Sequence, residues 1–217
     1  DCLMDKSYWD IYYKNFGTNN HIIQPSSFAQ FVLNNYLLEK KFNIVELGSG
    51  NGRDAIFFAH HSHNIYALDQ SKTATEVSKQ GVNNEILKYF HPKARDFVLE
   101  DYSSYNEIDM FYSRFTMHSI TKDDEDLVIS KVYNSLLNGG LFCIEARTIN
   151  DPLFGIGEDC GQNTFINNNH KRRFIDTSEF RKQVIEFGFK ELFFVEENNL
   201  SIVRDDNPTL MRIVLEK

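Results

Sequence analysis

The strongest constraint on this chain is a glycine-rich turn directly behind a short apolar run. Residues 43–52 read NIVELGSGNG, so glycine occupies every second position at the exit of a predicted buried strand. Glycine in a regular element costs conformational entropy and supplies no side chain for packing. Three glycines at a strand exit therefore predict a turn that another group approaches closely.

Helical and strand patterns alternate along the rest of the chain. The predicted strands are residues 43–47, 64–68, 96–100, 108–113, 141–147, 191–197 and 210–216. The predicted helices are a short aromatic one at residues 7–16, residues 26–40, 53–61, a broken segment from Ser71 to residue 90, residues 121–138 ending at Gly139, and residues 177–187. Apolar strands between helices favour a parallel sheet covered on both faces, and two final strands joined by a loop require an antiparallel strand. The predicted fold is a three-layer, doubly wound (Rossmann-like) α/β fold.

The length favours one domain over residues 1–217, since folds that alternate strands and helices often reach this size undivided. Residues 148–176 are rich in Gly and Asn and follow no pattern. A loop of that length in a compact domain is usually functional, so we expect it on the substrate side.

The composition disfavours several classes of protein. The chain has 23 Lys and Arg against 31 Asp and Glu, a net charge of −8, whereas nucleic-acid binding calls for a basic surface. No apolar run is long enough to cross a bilayer, and no secretory signal pattern is present. The cysteines Cys2, Cys143 and Cys160 form no C-x-x-C pair and fit a reducing compartment. We expect a cytoplasmic protein with a small-molecule partner.

Two nucleotide-binding patterns compete for the glycine turn. A G-x-G-x-x-G fingerprint needs glycine at position 53, where the chain has Arg53, and a P-loop needs G-K-[ST], which is absent. Glu46 also stands two residues before the first glycine, where a pyrophosphate has no use for a carboxylate. A tight turn without a ligand is the remaining structural alternative.

The segment VELGSGNGRD, together with the acidic strand end ALDQ at residues 67–70, resembles the first motif and its successor in class I S-adenosylmethionine-dependent methyltransferases. The resemblance covers nearly the whole chain, including the late strand pair. It implies a seven-stranded sheet with the last strand inserted antiparallel. It also implies S-adenosylmethionine as the methyl donor and S-adenosylhomocysteine as the product.

The resemblance assigns a group to each part of S-adenosylmethionine. The glycines of the turn would lie against its methionine and ribose parts, Glu46 would hold the amino group, and Asp69 would accept both ribose hydroxyls. Asp101, after the predicted third strand, would bind the adenine amino group, for which a cap or turn role is the alternative. The expected cofactor residues are Tyr13, Glu46, Gly48, Ser49, Gly50, Gly52, Asp54, Asp69, Gln70, Ser71, Asp101, Tyr102, Arg114 and Phe115.

Four of these residues have further assignments. Gln70 would form a wall and Tyr102 would lie beside the adenine ring. Arg114 and Phe115 would pass the backbone across the methionine moiety. Residues 1–25, which are aromatic around Tyr13, would close over the cofactor as a lid, since aromatic faces attract a sulfonium cation. Packing of these rings on the core is the competing interpretation.

The candidate catalytic residues follow the fourth strand and lie on the fifth. Histidine is the side chain whose unperturbed pKa lies nearest neutrality, so His118 is the first choice for a general base, with Glu145 the second. A histidine bonded to the backbone is the alternative. Glu145 and Arg147 alternate on one strand and therefore point the same way, so they could hold substrate or pair with each other.

The candidate acceptor site includes a basic cluster at residues 171–173 in an otherwise acidic protein. The planar guanidinium suits phosphate or carboxylate, so we expect an anionic acceptor, with a solvated charge run as the alternative. The expected substrate-binding residues are Tyr12, His118, Arg147, Arg172 and Arg173. The histidines at 60, 61 and 63 end a predicted helix and are expected in a solvated turn, so no metal site is predicted.

At a finer level, YSRFTMHSI, EARTINDPLFGIGED and HKRRFID resemble small-molecule methyltransferases of bacterial capsule and surface-polysaccharide clusters, including those linked to O-methyl phosphoramidate decoration. The resemblance implies methyl transfer to an oxygen of a small, anionic or sugar-linked metabolite. An N-methyltransferase acting on a small amine and a non-catalytic S-adenosylmethionine-binding regulator remain open. A nicotinamide dehydrogenase is disfavoured by Arg53 and Glu46.

Overall fold

The computed structural model describes residues 24–80, 82–202 and 205–217. Its helices are α1 (Ser27–Tyr36), α2 (Arg53–His60), α3 (Lys72–Lys79), α4 (Lys122–Ser135) and α5 (Thr177–Phe187). Its strands are β1 (Asn43–Leu47), β2 (Asn64–Asp69), β3 (Phe90–Ala94), β4 (Ile108–Arg114), β5 (Leu136–Arg147), β6 (Glu158–Asp159), β7 (Thr164–Asn167), β8 (His170–Arg173), β9 (Lys190–Glu197) and β10 (Leu210–Glu216). Short 3-10 turns lie at Ile86–Lys88, Tyr102–Ser104 and Met117–Ser119.

Seven of these strands form one sheet in the order β3-β2-β1-β4-β5-β10-β9. β1 pairs in parallel with β2 and with β4, whereas β10 is antiparallel to both β5 and β9. The predicted fold class is therefore confirmed, including the antiparallel last strand. None of the helices in the described part of the chain is long and apolar enough to cross a membrane.

The chain divides into two compact units between residues 112 and 113. The N-terminal unit contains β1 to β3 and most of β4. Its core is built from apolar strand residues that are fully buried, such as Ile44, Val45, Ile65 and Leu68. The C-terminal unit contains β5 to β10, with Phe142, Ile144, Ile213 and Val214 fully buried on the paired strands β5 and β10. The expectation of one domain over residues 1–217 stays a prediction.

Four helices begin at side chains that accept a hydrogen bond from the first turn. Ser26, Ser71 and Thr121 accept from backbone N–H groups three residues ahead, and Asp176 caps α5. These caps satisfy amide groups that lack a partner within the helix, which is why the helices start there. The starts of α1, α3, α4 and α5 were thus readable from the sequence.

The predicted third strand at residues 96–100 is wrong. Those residues form a turn in which Asp96 Oδ1 accepts from the Val98 backbone N–H at 2.9 Å, and the strand is Phe90–Ala94. Within the described residues β3 pairs only with β2, and such an edge strand tolerates the proline at position 92. In the segment DFVLE, Phe97 and Val98 are buried under the turn, whereas Leu99 is exposed.

Two further boundaries differ from expectation. α4 ends at Ser135 and β5 begins at once, so the pair Gly139–Gly140 lies within a strand instead of ending a helix. These glycines exchange backbone hydrogen bonds of 2.9 Å with Lys217. The loop predicted at residues 148–176 contains a small antiparallel sheet in the order β6-β7-β8.

Candidate active site

The glycine turn is fixed to the end of β2 by main-chain hydrogen bonds. Gly48 and Gly50 have φ angles of 74° and 54°, in the left-handed region that favours glycine. The Ser49 N–H donates to the Leu68 carbonyl at 2.8 Å, and the Gly50 N–H donates to Asp69 Oδ2 at 2.8 Å. The turn is thus fixed directly beside the Asp69 carboxylate.

Asp69 is oriented by two backbone amides. Its second oxygen, Oδ1, accepts from the Ser71 N–H at 2.8 Å, and the residue is 9% exposed. The two amides therefore fix where the carboxylate lies. A carboxylate is the kind of group that accepts the two hydroxyls of a ribose. Glu46, on β1 of the same unit, is buried with 4% exposure.

The third glycine of the turn packs closely against neighbouring elements. Gly52 has a φ of 80°, and a Cβ built on it would lie 2.9 Å from Ser78 Cβ and 3.3 Å from the Phe90 ring. The space on that side is filled by the protein itself. This glycine therefore allows α2 to start close to α3 and β3, while the predicted cofactor contact at Gly52 stays a prediction.

Asp54 is a structural residue instead of a cofactor ligand. Its Oδ1 accepts from the Ser26 N–H at 2.7 Å, and its Oδ2 accepts from the Ser26 and Tyr112 hydroxyls at 2.6 and 2.8 Å. The side chain is 2% exposed. Because the carboxylate ties the cap of α1 to β4, it is directed into the protein, and the cofactor role predicted for Asp54 is wrong.

The residues after β2 divide in the same way. The Ser71 hydroxyl is fully buried and caps α3 by accepting from the Ala74 N–H at 3.1 Å, so its predicted contact with a cofactor through the side chain is wrong. Gln70 lies between the Asp69 carboxylate and this cap and is half-buried. Gln70 therefore stays a candidate for an adenine-side wall.

Asp101 and Tyr102 do not follow the third strand. Asp101 Oδ1 accepts from the Ser103 N–H at 3.0 Å and caps a 3-10 turn, as in the alternative left open by the sequence. Tyr102 is 3% exposed, its hydroxyl donates to the Phe97 carbonyl at 2.7 Å, and burial raises its pKa. A phenol directed into the core cannot flank a ligand, so the predicted role of Tyr102 is wrong.

The acid that follows the actual third strand is Asp96. The Arg95 N–H donates to the Asp69 carbonyl at 2.8 Å, so the chain leaving β3 is bonded to the end of β2. Asp96 itself is exposed. The sequence contained its signal, an acid behind FHPKA, but the proline and the charged residues of that segment concealed the strand.

The end of β4 contains a strained residue. Phe115 has a φ of 57°, which is an outlier for a bulky side chain, and its N–H donates to the Glu145 carbonyl at 2.8 Å. The Arg114 guanidinium lies 4.1 Å and that of Arg147 6.0 Å from the centre of the Phe115 ring. Backbone strain of this kind clusters at functional sites, which keeps Arg114 and Phe115 as candidates.

Glu145 is the centre of a buried ion-pair network. Its Oε1 accepts from Arg114 Nε at 3.1 Å, its Oε2 is bonded to Arg212 Nε, and the side chain has no exposed surface. Arg114 Nη2 also donates to the Ser201 hydroxyl at 2.8 Å. Because both oxygens are bound to guanidinium groups, the general-base role predicted for Glu145 is wrong.

Arg147 and Arg173 are also held within the protein. Arg147 Nη1 bonds to both oxygens of Asp151, and Nη2 bonds to Asp206. Arg173 Nε and Nη2 donate to the carbonyls of Ile120 and Met117, and Nη2 pairs with Glu125. The guanidinium groups of Arg147 and Arg173 thus already bond to protein groups and stabilise turns of the fold. The substrate contacts predicted for these two guanidinium groups are therefore wrong.

His118 is buried beside a cluster of cationic residues. It is 6% exposed, and its Nδ1 accepts from the Arg147 backbone N–H at 3.4 Å. Burial first, and then the charges of Arg147, Arg172, His170 and Arg173, lower the pKa of His118 well below its usual value. Burial, Arg172 and Arg147 also lower the pKa of His170, to about 4. Arg172 is half-buried and contributes charge to this cluster.

The remaining predicted residues fall into two groups. Tyr12 and Tyr13 lie outside the described residues. In the histidine segment, the turn at His60 and His61 is exposed as expected, but His63 is buried with its Nδ1 accepting from the Phe42 N–H at 3.2 Å. Within residues 24–80, 82–202 and 205–217, no group of three His, Cys, Asp or Glu side chains is arranged to hold a metal ion.

Comparisons with known proteins agree with this arrangement. A model of the methyltransferase domain family matches residues 45–144. A protein described as an uncharacterised methyltransferase of Bacillus mycoides is 26% identical over 143 residues, which are 65% of this chain and 64% of that protein. The chain thus spans slightly less than two thirds of the length of this relative.

Solved structures show the same fold at low sequence identity. The 1,6-didemethyltoxoflavin-N1-methyltransferase of Burkholderia thailandensis is 14% identical, with a TM-score of 0.70 and coverage of 98% of this chain and 86% of that one. The glycopeptide N-methyltransferase MtfA, complexed with S-adenosylhomocysteine, is 12% identical, with a TM-score of 0.68 and coverage of 99% and 98%. Residues 45–144 therefore match a methyltransferase domain, and the chain has the same fold as these solved methyltransferase structures.

Proposed function

We propose that this protein binds S-adenosylmethionine through its N-terminal unit and transfers the methyl group to a small acceptor. The observation that carries the proposal is the Asp69 carboxylate, held by the Gly50 and Ser71 amides beside the glycine turn. A carboxylate in that setting suits a ribose diol, and a glycine backbone without side chains suits the adjacent methionine part. The match of residues 45–144 to the methyltransferase domain family supports the same activity.

The proposed cofactor site is a revised form of the set predicted from the sequence. It keeps the backbone of the turn, Glu46 and the Asp69 carboxylate, with Gln70 beside the adenine. Asp96 replaces Asp101 as the acid for the adenine amino group, because Asp96 follows the third strand and its backbone neighbour bonds to Asp69. The proposed residues, all in the N-terminal unit, are Glu46, Gly48, Ser49, Gly50, Asp69, Gln70 and Asp96.

In the transfer, a lone pair of the acceptor forms a bond to the methyl carbon. The carbon–sulfur bond breaks as that bond forms, and its electron pair stays on sulfur to give S-adenosylhomocysteine. The sulfonium is already an activated donor, so the protein mainly has to position the acceptor in line. A neutral hydroxyl acceptor would additionally need a base to remove its proton.

The residues of the C-terminal unit favour an acceptor whose oxygen is already ionised, because such an oxygen needs no base. Glu145 is bound to two arginines, and His118 uses Nδ1 to accept from the backbone, so neither candidate base is set up to take a proton. Arg172 adds positive charge beside His118. We therefore propose O-methylation of a small anionic metabolite. The resemblance to surface-polysaccharide methyltransferases favours a sugar-linked one.

N-methylation of a small amine is the second candidate. It is favoured by the described activities of two structural neighbours, the glycopeptide and the toxoflavin-precursor N-methyltransferases. A neutral amine also attacks the methyl carbon without a base. Mass spectrometry of the product of isotopically labelled S-adenosylmethionine distinguishes an O-methyl from an N-methyl group.

Calorimetry with S-adenosylhomocysteine tests the cofactor site, and a non-catalytic binding protein would give the same result without turnover. Asp69→Asn should weaken binding by about tenfold or more, because a charge-assisted hydrogen bond contributes about 1.5–3 kcal/mol. Asp109→Asn is the matched control, since Asp109 also accepts from a backbone N–H and from a lysine, at the start of β4. Unchanged affinity in Asp69→Asn, with the fold intact, would contradict the proposed site.

A further inference from the structure

The C-terminal unit contains a cavity with a distinctly cationic lining. It is a space of about 360 Å³, partly open to solvent, between the turn at His118–Thr121, the turn at Cys160–Thr164 and the strand β8. Among the described residues that line it, the charged ones are Lys171 and Arg173, which is paired with Glu125, and none is a carboxylate. In a protein with a net charge of −8, this sign of charge selects for an anion.

The adjacent cavity shows that this lining is not a general property of the unit. That cavity, of about 490 Å³, is lined by Glu125, Asp176 and Glu179 as well as by Lys122 and Arg173. Its charged lining has more acids than bases. Two neighbouring cavities thus differ in the sign of their charge, and only the one beside His118 suits an oxyanion.

His118 presents a fixed hydrogen-bonding pattern to this cavity. The Arg147 backbone N–H donates to Nδ1, so Nδ1 carries a lone pair and the proton of the neutral ring is on Nε2. Burial and the neighbouring charges of Arg147, Arg172, His170 and Arg173 lower the pKa of His118, which keeps the ring neutral. The ring nitrogen that remains for a ligand is therefore a donor.

We propose that this cavity binds an anionic oxygen group of the acceptor, with the His118 Nε2–H as donor and Lys171 as the counter-charge. His118 is then a residue that determines specificity, and it does not act as a base. The chemical class selected is a small molecule carrying a phosphate or a carboxylate, because a buried N–H rejects a group that cannot accept its hydrogen bond. That the bound molecule is the methyl acceptor rests on the proposed function, whereas anion binding does not.

The orientation of the His118 ring is testable without any ligand. In ¹⁵N-histidine NMR spectra of the full chain, His118 should show a protonated Nε2 and an unprotonated Nδ1 throughout neutral pH. Titration with inorganic phosphate should then shift the Nε2–H signal in a saturable way. A proton on Nδ1, or an Nε2–H signal that does not shift with phosphate, would overturn the proposal. This result does not depend on whether variants at His118 and Lys171 fold.

Variants separate a donor from a base. His118→Gln keeps an N–H near the position of Nε2 and should hold phosphate affinity within about threefold, whereas His118→Phe should lower it by about tenfold, the effect of losing a hydrogen bond to a charged group. Lys171→Met should lower it by a similar factor. Lys182→Met is the control and should change nothing, since Lys182 is on the exposed face of α5 and pairs with Glu186. Equal phosphate affinity in all four variants would contradict the roles assigned to His118 and Lys171.

Acetate, titrated in parallel, assigns the class of oxyanion. Tighter binding of phosphate indicates a phosphorylated acceptor, and tighter binding of acetate indicates a carboxylated one. Failure of both anions to bind overturns the inference. S-adenosylhomocysteine binding is measured separately, so cofactor binding without anion binding refutes only the cavity assignment, and anion binding without cofactor binding refutes only the proposed function.

Discussion

The turn after β1 and the polar residues around β5 differ in what organises them. The turn is organised by main-chain groups, with the Ser49 and Gly50 amides bonded to the end of β2. Around β5 the polar side chains are bonded mostly to one another, with Glu145 between two arginines and Arg147 between two aspartates. The turn is therefore defined by its backbone, whereas the region around β5 is defined by ion pairs between side chains.

This difference explains why the sequence identifies the residues of the turn more reliably than the roles of the polar residues around β5. Left-handed backbone strongly favours glycine, so the positions of Gly48 and Gly50 reveal the turn in the sequence. A buried carboxylate has no such signature. The partners of Glu145 lie 31 and 67 residues away in the chain, and any acid on a strand has the same appearance in the sequence.

The largest effect is expected from a substitution that breaks the ion-pair network around β5. Glu145→Ala leaves Arg114 and Arg212 without their shared carboxylate in a buried place, and loss of one partner of a buried pair costs about 3–5 kcal/mol. We expect that loss in the free energy of unfolding measured by urea denaturation. The exposed Glu197, on β9, provides the control as Glu197→Ala. A variant as stable as the wild type would show that Glu145 is not structural.

The extent to which the fold could be predicted follows the same physics. β1, β2 and β10 are buried apolar runs and were located within a residue or two, as were the helix starts capped by Ser71, Thr121 and Asp176. β3 was missed because an edge strand can contain proline and charged residues, whereas the buried turn after it resembles a strand. Local patterns report burial, and burial is not specific to strands.

The site could be predicted as far as the backbone defines it. Asp69 was placed correctly at the end of β2, beside the turn, because strand ends and glycines are both visible in the sequence. The roles of Asp54 and Ser71 were not predicted correctly. In the sequence, a buried side chain that caps a helix or ties two elements together cannot be distinguished from one that faces a ligand. Only the directions of their hydrogen bonds distinguish them.

The second prediction compares two aspartates of the same unit. Asp54→Asn removes a carboxylate that accepts three hydrogen bonds and should lower the free energy of unfolding by about 1.5–3 kcal/mol. It should leave the affinity for S-adenosylhomocysteine unchanged under conditions where the protein stays folded. Asp69→Asn should show the opposite pattern, weaker binding with a smaller loss of stability. If both variants lose affinity alike, the division between structural and binding carboxylates is wrong.

The third prediction concerns the pH dependence of stability in the N-terminal unit. Burial, and then the charges of Lys41 and His61, lower the pKa of His63 from 6.5 to about 4. Below pH 6.5 the unfolded chain binds a proton that the folded chain does not, so stability is complete above that pH and falls as the pH decreases towards 4. At about 1.4 kcal/mol per pH unit, the loss at pH 5 is at most about 2 kcal/mol.

His63→Asn tests this assignment, because the asparagine carbonyl can replace Nδ1 as the acceptor of the Phe42 N–H but does not titrate. Urea unfolding at pH 7 and pH 5 should show a smaller decrease for the variant than for the wild type. Other histidines, including His170, contribute with the same sign in both proteins and therefore cancel in the comparison. Parallel curves would show that His63 is protonated equally in both states.

The smallest expected effect comes from two glycines of one turn. Gly52→Ala and Gly50→Ala both place a side chain in left-handed backbone, which costs about 1–2 kcal/mol. At Gly52 the new methyl group also meets Ser78 Cβ at 2.9 Å, so stability should fall without a change in the affinity for S-adenosylhomocysteine. At Gly50, whose N–H holds Asp69, affinity should fall as well. Loss of affinity in the Gly52 variant alone would place the ligand against the third glycine and would reverse the roles of Gly50 and Gly52.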